Sequence, residues 1–238
     1  MVLKSIKKLF GMAPPPARPA PVAPAPVAPP PVQPFPKELA YSFIPEGAVI
    51  VEAGAHIGIH TAEMARLRNC QIHAFEPVPH IFAQLRENTR PLPNVQCYNL
   101  ALSDKTGFAD MFISSGGSDG SSSLLAPKEH LNTNPDVLFE RKVRVETSTL
   151  DDWAAKQGIA RVDYMWLDMQ GAEYAMLQAS PNILRTVRVI FTEVSLMELY
   201  EGTPLYPEFK RWLQGQGFVL EKEVLPWDSC GDALFVRK

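Results

Sequence analysis

The chain has 238 residues, 46% of them hydrophobic, and its 26 Asp and Glu outnumber 23 Lys and Arg for a formal net charge of −3. That length suits one packed catalytic domain, no apolar run approaches the ~20 residues of a membrane helix, and no basic stripe tracks a phosphate backbone, so nucleic acid is not an expected partner. Cys70, Cys97 and Cys230 are scattered without Cys-x-x-Cys spacing, which points to neither a disulfide framework nor a zinc site and fits a reducing cytoplasm. Residues 1–12 form a short basic tail; as a helix it sets Leu3, Ile6 and Phe10 on one side among Lys4, Lys7 and Lys8. Such a stretch is either a weak membrane or partner contact or an unstructured tail. Residues 13–36 hold twelve prolines among Ala and Val, a composition that predicts an extended, semi-rigid spacer. Four cations and no acid fall within residues 1–36, so the domain expected over 37–238 carries −7.

In that domain an apolar run from Val49 ends in Glu52, Gly54 and Gly58 follow, and helical spacing resumes from Ile59 to Leu67. This predicts a buried strand, a tight turn and a helix, a geometry in which nucleotide-like ligands meet backbone N–H groups. Glycines at 54 and 58 permit positive φ and close backbone approach. The spacing Glu-x-Gly-x-x-x-Gly lacks the first glycine of a dinucleotide loop, and a carboxylate at 52 repels pyrophosphate while suiting an amino group and a sulfonium. It therefore favours S-adenosylmethionine over NAD. Gln71–Phe75 predicts a second strand ending at Glu76, placed to accept hydrogen bonds from ribose hydroxyls. A solvated helix-cap acid is the alternative for Glu76, and the company of Glu52 favours the ligand role over it.

Further along, Val78–Thr89 reads as a helix, Val95–Asn99 as a strand and Leu100–Asp104 as a turn. Thr106–Ile113 and Lys142–Thr147 alternate at period two and predict an antiparallel excursion. Between them Ser114–Pro135, rich in Gly and Ser at its start, predicts a long loop of the kind that serves as a lid. Leu150–Gln157 is a predicted helix, Val162–Asp168 a strand ending in an acid, and Glu173–Gln178 a helix. Val187–Val194 and Pro207–Gln214 follow as strand and helix, and Phe218–Val224 and Ala233–Arg237 close the chain as strands.

Val-Glu-Ala-Gly-Ala-His-Ile-Gly (51–58), Ala-Phe-Glu-Pro-Val-Pro (74–79), Asn-Leu-Ala-Leu-Ser-Asp (99–104) and Leu-Asp-Met-Gln-Gly-Ala-Glu (167–173) occur in order. This series resembles that of FkbM-type S-adenosylmethionine-dependent methyltransferases, over roughly residues 40 to 238. The family usually carries Asn where this chain has His56, and often Glu where it has Gln170. The resemblance implies a class I methyltransferase fold: Rossmann-like α/β, with a mostly parallel seven-stranded sheet whose last strand is antiparallel. It also implies O-methylation of a hydroxyl on a sugar, glycan or secondary metabolite, with Ala101 and Leu102 beside the adenine. His56 would donate to the methionine moiety.

Asp168 and Glu193 are the acids that the fourth and fifth strands deliver to the reactive end. Asp168 is the first choice for base, or for orienting the acceptor or the cofactor's amino group; capping the following helix is its alternative role. Glu193 is second, and Glu173 belongs to the helix's first turn. Ser114–Pro135 is expected to close over the acceptor, with Trp227, Asp228 and Tyr206 as further walls. His130 either reaches the acceptor from the lid or lies on the surface. No ligand spacing demands a metal. A nucleoside-binding domain without transfer activity and an NAD-type oxidoreductase are the competing functions.

Overall fold

A computed structural model describes residues 33–238. The expectations for residues 1–12 and for most of the 13–36 spacer lie outside them. The strands are β1 (Val49–Ala53), β2 (Gln71–Phe75), β3 (Val95–Tyr98), β4 (Ala101–Leu102), β5 (Gly107–Gly116), β6 (Val137–Ser148), β7 (Tyr164–Leu167), β8 (Val189–Ser195), β9 (Phe218–Val224) and β10 (Cys230–Arg237). The helices are α1 (Lys37–Ser42), α2 (Ile59–Met64), α3 (Pro79–Thr89), α4 (His130–Thr133), α5 (Leu150–Gln157), α6 (Glu173–Gln178), α7 (Pro181–Leu184) and α8 (Tyr206–Gly215).

A seven-stranded sheet has the order β3-β2-β1-β7-β8-β10-β9. Its first five strands pair in parallel, and β10 runs antiparallel to both neighbours. The class I methyltransferase sheet expected from the sequence is therefore present, with the chain's last strand as the reversed one. Parallel strands must be covered on both faces. Val51, Ala53, Met165 and Leu167 pack on one side with Trp153, Met176, Leu177 and Leu213 of the helices α5, α6 and α8. Ile50, Ile72, Tyr164 and Trp166 pack on the other with Tyr41, Met64 and Leu85 of α1, α2 and α3. The chain leaves β1 toward β2 on one side and β7 toward β8 on the other, so the two connections part outside the carboxyl ends of these paired strands. Open α/β sheets bind ligands at that crevice.

The predicted excursion forms as a long antiparallel ribbon of β5 and β6. Several bounds differ from the sequence reading. The turn after β3 contains β4, because Ala101 and Leu102 find parallel partners in Thr147 and Ser148. The Ser114–Pro135 segment is partly ordered: β5 runs on to Gly116, α4 lies within it, and Phe112 and Ser123 bridge each other. Helix α2 stops at Met64 rather than Leu67, and Arg68 and Asn69 adopt positive φ soon after. Among the described residues no helix is long and apolar enough to cross a membrane.

The spacer boundary also moves. Phe35 was placed in the spacer, but it is 7% exposed and meets the Phe191 ring edge-on at 5.0 Å. An aromatic ring between prolines has apolar area to bury, and it joins the core on the α1 side. A chain starting at Lys37 should therefore melt about 4–10 °C below one starting at Gln33, because it loses a buried ring worth ~2–3 kcal/mol. Equal melting temperatures by calorimetry would return Phe35 to the spacer.

Candidate active site

The turn after β1 is shaped by a close passage. Asp168 N donates to Ala53 O at 2.9 Å, which brings the end of β7 against the end of β1. Gly54 has φ +83°, and a Cβ there would stand 1.7 Å from the Asp168 carbonyl oxygen. Gly58 has φ +86°, and its Cβ would meet Leu85 Cδ1 at 2.6 Å, so it serves the packing of α2 on α3. Both glycines are thus required by protein neighbours, not only by a ligand. His56 also has positive φ, 49°, a conformation that Asn and His enter more readily than most residues.

Glu76 and this turn hold each other. Glu76 Oε1 accepts from Val78 N at 2.8 Å and Oε2 from His56 N at 3.1 Å. Burial pushes its carboxyl up to about 7, and the two amides oppose that shift. A carboxylate has about four lone-pair sites, so both oxygens keep acceptor capacity toward the adjoining cavity.

That cavity lies outside the ends of β1, β2 and β7. Of the sequence-predicted residues, Gly54, His56, Glu76, Ala101, Leu102 and Asp168 line it. Phe75, Ile81, Met111 and Leu124 add apolar wall, and His60 and Trp166 form one corner with rings stacked at 4.6 Å. Asp119, Gly120 and Ser122 border it from the Ser114–Pro135 segment. Asp119 Oδ1 stands 3.1 Å from His56 Nε2, so the segment reaches the turn after β1. Its base is pinned by Ser123 Oγ donating to Gln170 O and by Tyr200 Oη donating to Ser121 O, both at 2.8 Å.

Glu52 is not among the lining residues. Its side chain alternates away from Val51 and Ala53 into the sheet, where it is 1% exposed and Oε2 has no hydrogen-bond partner. Burial pushes its carboxyl up to about 8, so near neutral pH it is largely uncharged. The anion that the sequence placed opposite a sulfonium is therefore not supplied by Glu52.

Of the two acids expected at the reactive end, Asp168 lines the cavity and Glu193 does not; it lies beside Asp168 across Gln170. Gln170, at φ 54°, donates from Nε2 to Asp168 Oδ1 at 2.7 Å and to Glu193 Oε2 at 3.2 Å. Its Oε1 accepts from Tyr200 Oη at 2.8 Å. Solvent reaches Asp168 through the cavity while protein surrounds its other sides. That burial raises its pKa, opposed first by the Gln170 amide and then by His60 and His56. Glu193 is raised well above the carboxylate range by burial, then by Asp168, Glu173 and Asp232. Asp232 pairs with Glu193 in register across β8 and β10, and burial followed by Asp168 pushes it up to about 7. The capping role for Asp168 is overturned, because α6 begins only at Glu173 and it is Glu173 Oε1 that accepts from Met169 N at 2.6 Å.

Other expectations are corrected. Tyr206 is buried on the α8 side of the core, bonded to Glu223, and is no acceptor wall. His130 neither reaches the cavity nor lies on the surface; it is buried against Phe139 and Tyr200. Trp227 and Asp228 line a separate shallow cleft. The sequence reading missed Tyr200, Asp119 and Ser122, which sit in unpatterned segments.

The Methyltransferase FkbM domain matches residues 52–220. The chain belongs to the FkbM methyltransferase family. Membership places it among S-adenosylmethionine-dependent methyltransferases and sets aside the oxidoreductase alternative. It is 37% identical over 160 residues to the 2-O-methyltransferase NoeI of Sinorhizobium fredii, a match covering 65% of this chain and 66% of that protein. It is 25% identical over 215 residues to the methyltransferase sdnD of Sordaria araneosa, covering 77% of this chain and 78% of that protein. Among solved structures, the fibrillarin pre-rRNA processing protein of Methanococcus jannaschii shares the fold, with a TM-score of 0.50 and 12% identity over 81% of this chain and 67% of that one.

Two outcomes follow for the methyltransferase. Glu76→Ala should weaken S-adenosylmethionine binding about tenfold or more, the loss of a charged hydrogen bond worth ~1.5–3 kcal/mol; unchanged affinity by calorimetry would remove Glu76 from the pocket. Glu52 has a raised pKa in the folded state, so its contribution is full below about 4.5 and declines as pH rises through about 8. The stability advantage of Glu52→Gln over wild type should therefore grow between pH 5 and pH 8, to on the order of 2–4 kcal/mol. A pH-independent difference in denaturant titrations would mean that Glu52 is ionised throughout.

Proposed function

We propose that this methyltransferase moves the methyl group of S-adenosylmethionine to a hydroxyl of a sugar, glycan or secondary metabolite, with Asp168 as base. The observation that carries this reading is the Gln170 amide held between Asp168 and Glu193 at the mouth of the cavity. The cavity suits the cofactor: Glu76 offers acceptors for ribose hydroxyls, Ala101, Leu102 and Ile81 offer apolar walls, and the mouth is acidic as a sulfonium and an amino group require. The 2-O-methyltransferase among the relatives favours a hydroxyl acceptor.

The bound cofactor supplies a methyl already activated by its sulfonium. As the new C–O bond forms and the C–S bond breaks, the acceptor hydroxyl must lose its proton. Asp168 is positioned to take it, and a carboxylate raised above its ordinary pKa is better matched to that task than an unperturbed one. Gln170 fixes the rotamer of Asp168, and Tyr200 fixes Gln170. Glu193 is raised well above the carboxylate range, first by burial and then by Asp168, so the two groups titrate as a pair rather than independently. We place the protein in the cytoplasm, where its three unpaired cysteines would remain reduced.

Asp168→Asn keeps size and hydrogen bonding but removes the charge. Turnover, measured as S-adenosylhomocysteine release over a panel of glycans and hydroxylated metabolites, should fall about 10²–10⁴-fold with little change in melting temperature. Full turnover in that variant would move the role of base to Glu193, and wild-type activity restricted to amine acceptors would sink the O-methylation reading.

A further inference from the structure

Two openings share one rim of the sheet. Asp168 follows β7, Ser195 ends β8 opposite Cys230 at the start of β10, and Trp227 lies in the turn between β9 and β10. With strands ~4.8 Å apart, the order β7-β8-β10-β9 sets Trp227 about 10–15 Å along the rim from Asp168. Trp227 is 47% exposed and borders a shallow cleft with Thr133, Asn134, Met197, Asp228 and Ser229. The segment that contributes Thr133 and Asn134 to this cleft also contributes Asp119 and Ser122 to the cavity, so one stretch of chain borders both openings.

The charge of the rim is one-sided. Among the described residues, no Lys or Arg lines either opening. Asp119 and Asp168 line the cavity, and Asp228 borders the cleft. A phosphate or diphosphate brought here would meet carboxylates without a cation to offset them. Uncharged sugar rings suit the site on both counts: their apolar faces stack on an indole, and their hydroxyls find the amide of Asn134 and the hydroxyls of Thr133 and Ser229.

We propose that the acceptor is an uncharged oligosaccharide, its methylated unit at Asp168 and a distal unit resting on Trp227, rather than a phosphate-bearing sugar. This rests on the sugar-acceptor reading above and narrows it. It also orders the chemistry. A nucleotide-activated sugar carries a diphosphate that this rim repels, so glycosyl transfer must come first and methylation acts on its product.

The test uses the full chain with isotopically labelled S-adenosylmethionine. Acceptors are neutral oligosaccharides of several sugar types, from monosaccharide to pentasaccharide, and the matching nucleotide diphosphate sugars. Wild type should show KM falling with acceptor length and little transfer to the nucleotide sugars. Trp227→Ala should raise KM for the longer oligosaccharides about fivefold to tenfold, leaving kcat and the monosaccharide KM unchanged. Trp227→Tyr should keep most of the wild-type behaviour. The proposal is overturned if nucleotide sugars are preferred, if KM is independent of length, or if Trp227→Ala leaves the long-acceptor KM unchanged. Transfer to hydroxylated aromatic metabolites but to no sugar would overturn the sugar-acceptor reading itself, and this proposal with it.

Discussion

The backbone contact between the ends of β1 and β7 is the constraint on which the site depends. A carbonyl oxygen of Asp168 occupies the space where a side chain at position 54 would begin, and an amide hydrogen bond from Asp168 to Ala53 holds it there. Because the two strand ends are locked, the turn carrying His56 and the strand end carrying Asp168 are placed relative to each other by backbone alone. Glu76 then fastens the second strand to the same turn through two amides. The turn after β1, the end of β2 and the end of β7 thus share a rigid frame, the kind of preorganisation on which an in-line displacement relies.

On that frame the protein collects carboxyl groups in surroundings that disfavour their charge. Glu52, Glu76, Glu173 and Asp232 are each raised to about 7 or 8, with burial as the largest cause. Their functions differ with their hydrogen bonds. Glu76 and Glu173 are each tied to backbone amides, whereas Glu52 Oε2 is left without a partner. Asp168 and Glu193 share the amide of one glutamine, so the mouth of the cavity is a small coupled system rather than a set of independent acids. A glutamine at 170 serves there better than an acid would, because it can donate to both carboxylates and adds no further negative charge.

Local pattern disclosed the sheet and many of the residues that line the cavity. Strong apolar runs ending in acids marked β1, β2, β7 and β8, and the glycine turn marked the crevice. Pattern could not disclose orientation within a strand. Glu52 and Glu76 both end apolar runs, yet alternation turns the first into the core, while the second, just past β2, meets the turn. Phe35 was hidden because its neighbours are prolines, whose composition outweighs a single aromatic in any sequence reading. Tyr200 and Asp119 were hidden for a different reason: each acts through a partner 30 or more residues away, Gln170 for Tyr200 and His56 for Asp119. Gly58 was legible as a special position, but its neighbour Leu85 on another helix was not.

The hydroxyl of Tyr200 has one proton and two claimants. Ser121 O and Gln170 Oε1 are both within 2.8 Å of it, so each must accept a shared or alternating bond. One claimant belongs to the covering segment and the other to the glutamine that steadies the carboxylates. Lifting the segment would free Tyr200 to commit wholly to Gln170, and lowering it would draw that commitment away. The covering segment and the carboxyl groups held by Gln170 are therefore connected through a single rotatable O–H.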